Sequence, residues 1–338
     1  MVETAAKLAF LSSPAAYPDE RPARVEVRET RSSWVFLTER RAWKLKKPLR
    51  LPHLDLTDPA ARRADAEAEL RLNRRLADWV YLAVVPLVVR DDGRLALGGP
   101  GTPVDWLLEM VRLDARLMLD AVLRAGPPDP TAFRRTLAHL CRFFRESPPA
   151  GRTPEAHLEV MTREIALDVL ALERPAERIA PRLVDAALSA LFRAFAIQRA
   201  ALTARVRAGH VIDAHGDLRP EHVYLGDPPA IIDCLEFSRE LRIRDAADEI
   251  AYLELECARL GRPAAGAFAV ATYERLTGDR PGAPLYAFYR LFRGIQRARL
   301  AVWHAADPGP CGEAHWYARA RRYLELALEA APLATVSA

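Results

Sequence analysis

Apolar and polar positions change their rhythm once along this chain. Residues 24–47 read as strands: RVEVRETRSSWVFLT, a break at ERR, then AWKLKK, with WVFL apolar and β-favouring. DPAARRADAEAELRLNRRL, residues 58–76, has helical spacing behind an aspartate cap and a first-turn proline. YLAVVPLVVRDDGRLAL reads as strand, turn, strand about DDG, and VDWLLEMVRL at 104–113 as a further apolar strand. From 113 to 208 the period is helical, broken at GPPDP (126–130) and SPPAGRTP (147–154). Strand-like VYL (223–225) and AIID (230–233) flank a GDPP turn, and beyond 245 the chain is helical again apart from DPGPCG at 307–312. The closing LATVSA is expected to fray. The pattern predicts a β-rich first part and an α-rich remainder with a small β insert.

Composition narrows the function classes. A length of 338 residues suggests roughly two domains, and half the residues are hydrophobic, ample for a core. Forty-nine basic against 45 acidic residues leave a net charge of +4, too mild to imply nucleic acid, and no basic run is interleaved with aromatics. The paired arginines in alanine-rich stretches read as solvated helix faces. The longest apolar run, YLAVVPLVV, cannot span a bilayer. Cys141, Cys234, Cys257 and Cys311 have no zinc spacing, and MVETAAKLAFLSSP has an acidic residue and too short an apolar core for a signal peptide. The expectation is a cytoplasmic protein with reduced thiols. Only four basic residues are lysines, and three of them, Lys44, Lys46 and Lys47, fall in AWKLKK. Lysine is a compact, flexible point charge suited to a phosphate, although a basic strand edge gives the same pattern.

HGDLRPEHVYLGDPPAIIDCLEF, residues 215–237, holds the candidate chemistry. Phosphoryl transfer needs a base to orient the attacking hydroxyl, cations to neutralise phosphate oxygens, and hard oxygens to hold those cations. Asp217 and position 222 are five apart, the interval between the catalytic Asp and the metal-binding Asn of HRDxxxxN. Asp233 ends the apolar run IID, where the metal-binding Asp of DFG lies. Gly216 permits the tight backbone that presents Asp217.

HGDLRPEH…IIDCLEF resembles the Brenner-type motifs of the aminoglycoside phosphotransferase family, small-molecule kinases with a protein-kinase-like fold. ETRSSWVFLTERRAWKLKKP, EAELRLNRRLA and RELRIRDAADEIAYLELE are similar to one bacterial branch, many of whose members add a P-loop ATPase domain; no GxxxxGK[ST] occurs here. The resemblance implies an α+β, two-lobed fold: an antiparallel β-rich N-lobe over 1–111 and a mainly helical C-lobe over 112–338. It implies ATP and Mg2+ (or Mn2+) as cofactors and a small-molecule hydroxyl as acceptor. Asp217 would be the base and Asp233 the main metal ligand. Lys44 would grip the phosphates, with Lys46 on the same strand face as the alternative. Glu69 would brace that lysine, with Glu67 as its alternative, and the backbone of Glu109, Met110 and Val111 would meet adenine. His215 would brace the loop, and Asp248 would support it from a helix capped nearby.

Two departures stand out. His222 replaces the asparagine, and imidazole favours softer ions than magnesium; it leaves one metal on Asp233, a softer ion on His222 itself, or lost catalysis with nucleotide binding retained. RETRSSW has no glycine in the phosphate-covering loop, leaving Ser32 and Ser33 to meet phosphate oxygens. The reading is an ATP-dependent transfer to a small-molecule hydroxyl. The alternative is a nucleotide-binding pseudokinase, a regulator or scaffold. The arginine-rich helices near 290–326 support a weaker third reading, a helical interaction protein.

Overall fold

A computed structural model describes residues 2–51 and 54–336. In chain order its elements are α1 (Thr4–Leu11), β1 (Glu26–Glu29), β2 (Ser33–Leu37), β3 (Arg41–Lys46), β4 (Arg50–Leu51), β5 (Leu54–Asp55), α2 (Pro59–Ala77), β6 (Tyr81–Val89), β7 (Leu95–Leu97) and β8 (Thr102–Val111). There follow α3 (Leu119–Ala125), α4 (Pro130–Glu146), α5 (Pro154–Glu173), α6 (Ala176–Ile179), α7 (Pro181–Arg207), β9 (Val211–Asp213), β10 (Val223–Tyr224) and β11 (Ala230–Ile231). The last group is α8 (Arg239–Arg242), β12 (Ile243–Asp245), α9 (Ala246–Arg259), α10 (Pro263–Thr277), α11 (Ala283–Ala305) and α12 (Gly312–Ala334).

Two compact units result: residues 1–117 with 224–240, and 118–223 with 241–338. The division follows Leu117 rather than residue 111, and the 224–240 segment belongs with the first unit. Backbone and side-chain bonds explain that return: Leu225 N–H donates to Leu117 O at 2.9 Å, Trp79 Nε1 to Pro229 O at 3.2 Å, and Cys234 N–H to Asn73 Oδ1 at 2.9 Å.

The first unit is built on one six-stranded antiparallel sheet in the order β1-β2-β3-β8-β6-β7. Alternation along β3 sorts its residues by face. Trp43 and Leu45 join a core of Leu11, Tyr17, Phe36, Leu87 and Leu107, each large apolar side chain contributing about 1.5–3 kcal/mol on full burial. Lys44 and Lys46 point to the opposite face and meet carboxylates of α2. Helix α1 went unanticipated. It is held by Lys7, whose amine reaches Asp105 at 2.7 Å beside Arg62, also 2.8 Å from that carboxylate. This buried trio accounts for the one lysine outside AWKLKK.

Local rules set the helix starts. Asp58 accepts from Ala60 N–H at 2.9 Å with Pro59 in the first turn. Asp129–Pro130 and Thr153–Pro154 repeat the device for α4 and α5, so the two expected breaks end as helix caps. In the second unit, β9 pairs antiparallel with β12, and α11 buries Phe288, Phe292 and Ile295. Gly294 lets α11 approach α12, since a Cβ there would lie 2.8 Å from Ala327 Cβ. Several arginines are not on solvated faces. Arg205–Asp245, Arg244–Glu164 and Arg293–Asp248 are buried pairs at 2.6, 2.7 and 2.7 Å. Among the described residues no helix is long and apolar enough to cross a membrane. Helix α12 runs to Ala334, into the stretch expected to fray; residues 337–338 lie outside the described residues.

Candidate active site

In the first unit two lysines and four carboxylates gather on one face of the sheet. Lys44 Nζ donates to Glu69 Oε1 at 2.7 Å and lies 3.3 Å from Asp233 Oδ1. Lys46 Nζ forms ion pairs with Glu69 Oε2 at 2.6 Å and Asp65 Oδ2 at 2.9 Å, and it also contacts Glu236. Glu69 is completely buried between the two amines. Burial pushes its carboxyl up, but Lys44 and Lys46 outweigh that and hold it below the usual range. Lys44 loses stability as a cation through burial, yet Glu69, Asp233 and Glu236 together raise its pKa. Carboxylates outnumber amines by two in this group. Glu236 registers the surplus: burial, then Glu69, raises its carboxyl.

Asp233 sits just past β11, with a backbone φ of 62°. The run AIID was expected to stay extended to Asp233; β11 ends at Ile231 because a left-handed residue cannot continue a strand. That conformation costs about 1–2 kcal/mol for a residue with a Cβ. Anchors on both sides of the peptide hold it. Tyr81 Oη accepts the Asp233 N–H at 3.1 Å, and Asn73 Oδ1 takes that of Cys234. The Asp233 carboxylate is half exposed. It offers the hard oxygen that magnesium prefers, and the net negative charge around it suits a divalent cation. Among the described residues, no three His, Cys, Asp or Glu side chains form a metal cage. Magnesium commonly takes only one or two carboxylates and fills its shell from phosphates and water.

In the second unit the loop after β9 presents Asp217. Gly216 adopts φ 89° and donates its N–H to Glu249 Oε2 at 3.1 Å; Asp217 N–H donates to His215 Nδ1 at 3.3 Å. His215 is fully buried, in keeping with a brace. The Asp217 carboxylate accepts from Tyr252 Oη at 2.9 Å and Arg219 Nε at 3.0 Å. Burial raises its carboxyl; Arg219, then His222 and Arg297, outweigh burial and hold it well below the carboxylate range. It therefore stays an anion that accepts a hydrogen bond. His222 contacts Asp217 O through Nδ1 at 2.8 Å and Arg219 Nη2 through Nε2 at 3.2 Å. A carbonyl only accepts and a guanidinium only donates, so Nδ1 carries the proton and the Nε2 lone pair is taken. In this arrangement the ring has no lone pair for a metal.

The remaining expected residues divide. Ser33 is fully buried, its N–H taken by Thr30 Oγ1 at 3.0 Å and its hydroxyl unbonded among the described residues. Ser32 is half-buried in the same β1–β2 turn. Glu109, Met110 and Val111 end β8, paired with Trp43, Ala42 and Arg41 on one side, and Val111 N–H donates to Val80 O at 2.8 Å on the other. The amide of Val111 is thereby committed to the sheet. Glu67 is half exposed and pairs with Arg63, away from the lysines. Asp245 caps α9, and Asp248 holds Arg293. Sequence reasoning missed Asp65, Tyr252, Arg219 and Arg297. Asp65 had a signal: it stands four residues before Glu69 and so shares its helix face.

Comparison places this architecture among known proteins. No protein-family model matches the chain. Over 289 residues, 84% of this chain, it is 30% identical to uncharacterized proteins of Mycobacterium tuberculosis and Mycobacterium bovis, and spans 56% of their length. The choline/ethanolamine kinase family protein from Mesorhizobium loti superposes with a TM-score of 0.55 at 14% identity, over 98% of this chain and 99% of that one. The GDP complex of aminoglycoside 2'-phosphotransferase-IIIa gives 0.52 at 18%, over 97% and 98%. Choline kinase from Cryptosporidium parvum gives 0.52 at 12%, over 96% and 95%. The chain has the aminoglycoside-phosphotransferase fold. That fold is protein-kinase-like, α+β, with an antiparallel sheet followed by helices, and the solved neighbours that share it are phosphotransferases.

Proposed function

We propose that this chain is a small-molecule kinase that moves the γ-phosphate of ATP to an alcohol. One observation carries the reading: Lys44, Glu69 and Asp233, far apart in sequence, converge within 3.3 Å contacts, with Asp233 held in a left-handed backbone. Lys44, oriented by Glu69, binds the phosphates. Asp233 holds Mg2+, with Glu236 beside it. Bound there, the metal neutralises charge on the transferring phosphoryl group. Asp217 accepts the hydrogen bond of the acceptor hydroxyl and aims its oxygen at phosphorus. Its low basicity suits orientation, with the proton arriving late in the transfer. Tyr252 and Arg219 fix the carboxylate for that task. His222 braces the loop rather than binding metal, so Asp233 is the principal ligand. Adenine meets backbone beyond the β8 ladders, from Leu113 onward, and the units 1–117 with 224–240 and 118–223 with 241–338 correspond to N- and C-lobe.

His222 also favours a second reading, a nucleotide-binding regulator without turnover, because it removes the oxygen an asparagine supplies. A screen of metabolite extract with ATP or GTP and Mg2+ or Mn2+ separates the two. Metal-dependent phosphorylation that falls at least a hundredfold in Asp217→Asn and Asp233→Asn supports the kinase. Nucleotide binding with no turnover, indifferent to Asp217→Asn, supports the regulator.

A further inference from the structure

We propose that the acceptor is an anion: a small hydroxyl compound bearing a phosphate or carboxylate, held by Arg219, Arg297 and Arg319 in a cavity that Asp217 helps to line. Its use in catalysis rests on the kinase reading; the anion site itself does not. The cavity lies within the second unit and measures about 290 Å³, near the lower end for ligand pockets. Its wall is formed by α11, α12 and the loop around Asp217, and includes His304 and Trp316.

Two of the three arginines are poorly matched by protein partners. Arg297 has a buried Nε with no hydrogen-bond partner among the described residues, 3.5 Å from Glu256, a carboxylate already bonded to Arg259 and Tyr323. Arg319 forms no hydrogen bond or ion pair among the described residues; its guanidinium rests over the rings of Trp316 and Tyr323 at 5.6 and 5.9 Å. Arg219 is shared between Asp217 and His222. Aromatic support holds a planar fork in place while leaving its N–H edge for an oxyanion. The lining has three guanidiniums against one carboxylate. Adding Arg259, Glu221 and Glu256 behind it gives four positive and three negative charges, a net of +1. A polycation would meet like charge here, whereas an oxyanion is matched by the three guanidiniums of the lining.

In the transfer, the acceptor hydroxyl oxygen forms the new O–P bond to γ-phosphorus. The bond from that phosphorus to the β,γ-bridging oxygen breaks, ADP leaves with the electron pair, and the hydroxyl proton passes to Asp217. The arginines hold the acceptor's second anionic group and so fix which hydroxyl reaches Asp217.

Calorimetry with inorganic phosphate, the nucleotide site filled by a non-hydrolysable ATP analogue, tests the site directly. Saturable binding is expected in the wild type, at least tenfold weaker in Arg319→Gln and partly restored in Arg319→Lys, with the analogue's own affinity unaltered. Turnover is then compared for glucose 6-phosphate and D-glycerate, which separate phosphate from carboxylate, against glucose, glucosamine and choline. The anions are expected to be preferred. Phosphate binding indifferent to both Arg319 variants, or preferential turnover of glucosamine or choline, overturns the inference. Should the analogue fail to bind while phosphate binding still depends on Arg319, the kinase reading falls and the anion site stands.

Discussion

Replacing Glu69 with glutamine probes the arrangement that the proposed mechanism needs first. The side chain is completely buried, 2.7 Å from Lys44 and 2.6 Å from Lys46. Removing one member of a buried ion pair commonly costs about 3–5 kcal/mol because the partner is left unpaired. Neither lysine is stranded here: Lys44 keeps Asp233 at 3.3 Å, and Lys46 keeps Asp65 at 2.9 Å together with Glu236. The local surplus of negative charge also falls by one. The contact to Lys44 is an aligned, charge-assisted hydrogen bond worth about 1.5–3 kcal/mol, and glutamine retains an acceptor for one amine. The expected loss is therefore about 2 kcal/mol in urea unfolding, well under the full cost of a broken pair. With Lys44 left to lean on Asp233, the proposed metal ligand, ATP affinity is expected to fall at least tenfold, about 1.4 kcal/mol. Glu67→Gln, two residues away on the same helix, supplies the control. It is half exposed and among the described residues pairs only with Arg63, so a change within about 0.5 kcal/mol and unaltered ATP binding are expected. Equal, small effects from the two substitutions would refute the claim that Glu69 organises the lysines.

Glu249 sets a pH dependence. Burial first, and Asp248 beside it, raise its carboxyl to about 7 despite Arg293. Between about pH 4.5 and that value the folded state binds the extra proton, so stability falls as pH rises, by up to about 1.4 kcal/mol per unit, and levels off above it. Glu249→Gln is expected to flatten that stretch in chemical unfolding at a series of pH values; an identical slope in the variant would count against it. Magnesium should stabilise the protein in thermal unfolding by about 1.4 kcal/mol at tenfold its dissociation constant. Asp233→Asn is expected to abolish that gain, and a gain that survives the substitution excludes Asp233 as the ligand.

Much of the fold was legible because its cues are local. The apolar, β-favouring run WVFL and the alternation in AWKLKK mark β2 and β3, and the Asp-Pro and Thr-Pro steps that start α2, α4 and α5 satisfy helix amides within three residues. The spacing that singled out Asp217 and Asp233, and the alternation that put Lys44 beside Lys46, are also properties of adjacent residues. Helix α1 escaped notice because its anchor, Asp105, lies 98 residues from Lys7.

Side-chain orientation across the fold needed the tertiary structure. Ser33 stands in a stretch whose sequence says polar and exposed, yet it opens β2 opposite Lys46 and is fully buried there. Val111 looked available to a base until Val80 claimed its amide. Arg297 looked like one more solvated arginine on a helical stripe, but α11 and α12 hold it half-buried over Tyr323 with its Nε enclosed and unbonded among the described residues. By itself the sequence determined which residues alternate, which helices begin where, and which acids and amines were candidates for phosphate chemistry. Only the folded chain decided which of those groups meet, because charge pairing and desolvation depend on neighbours brought together from distant positions.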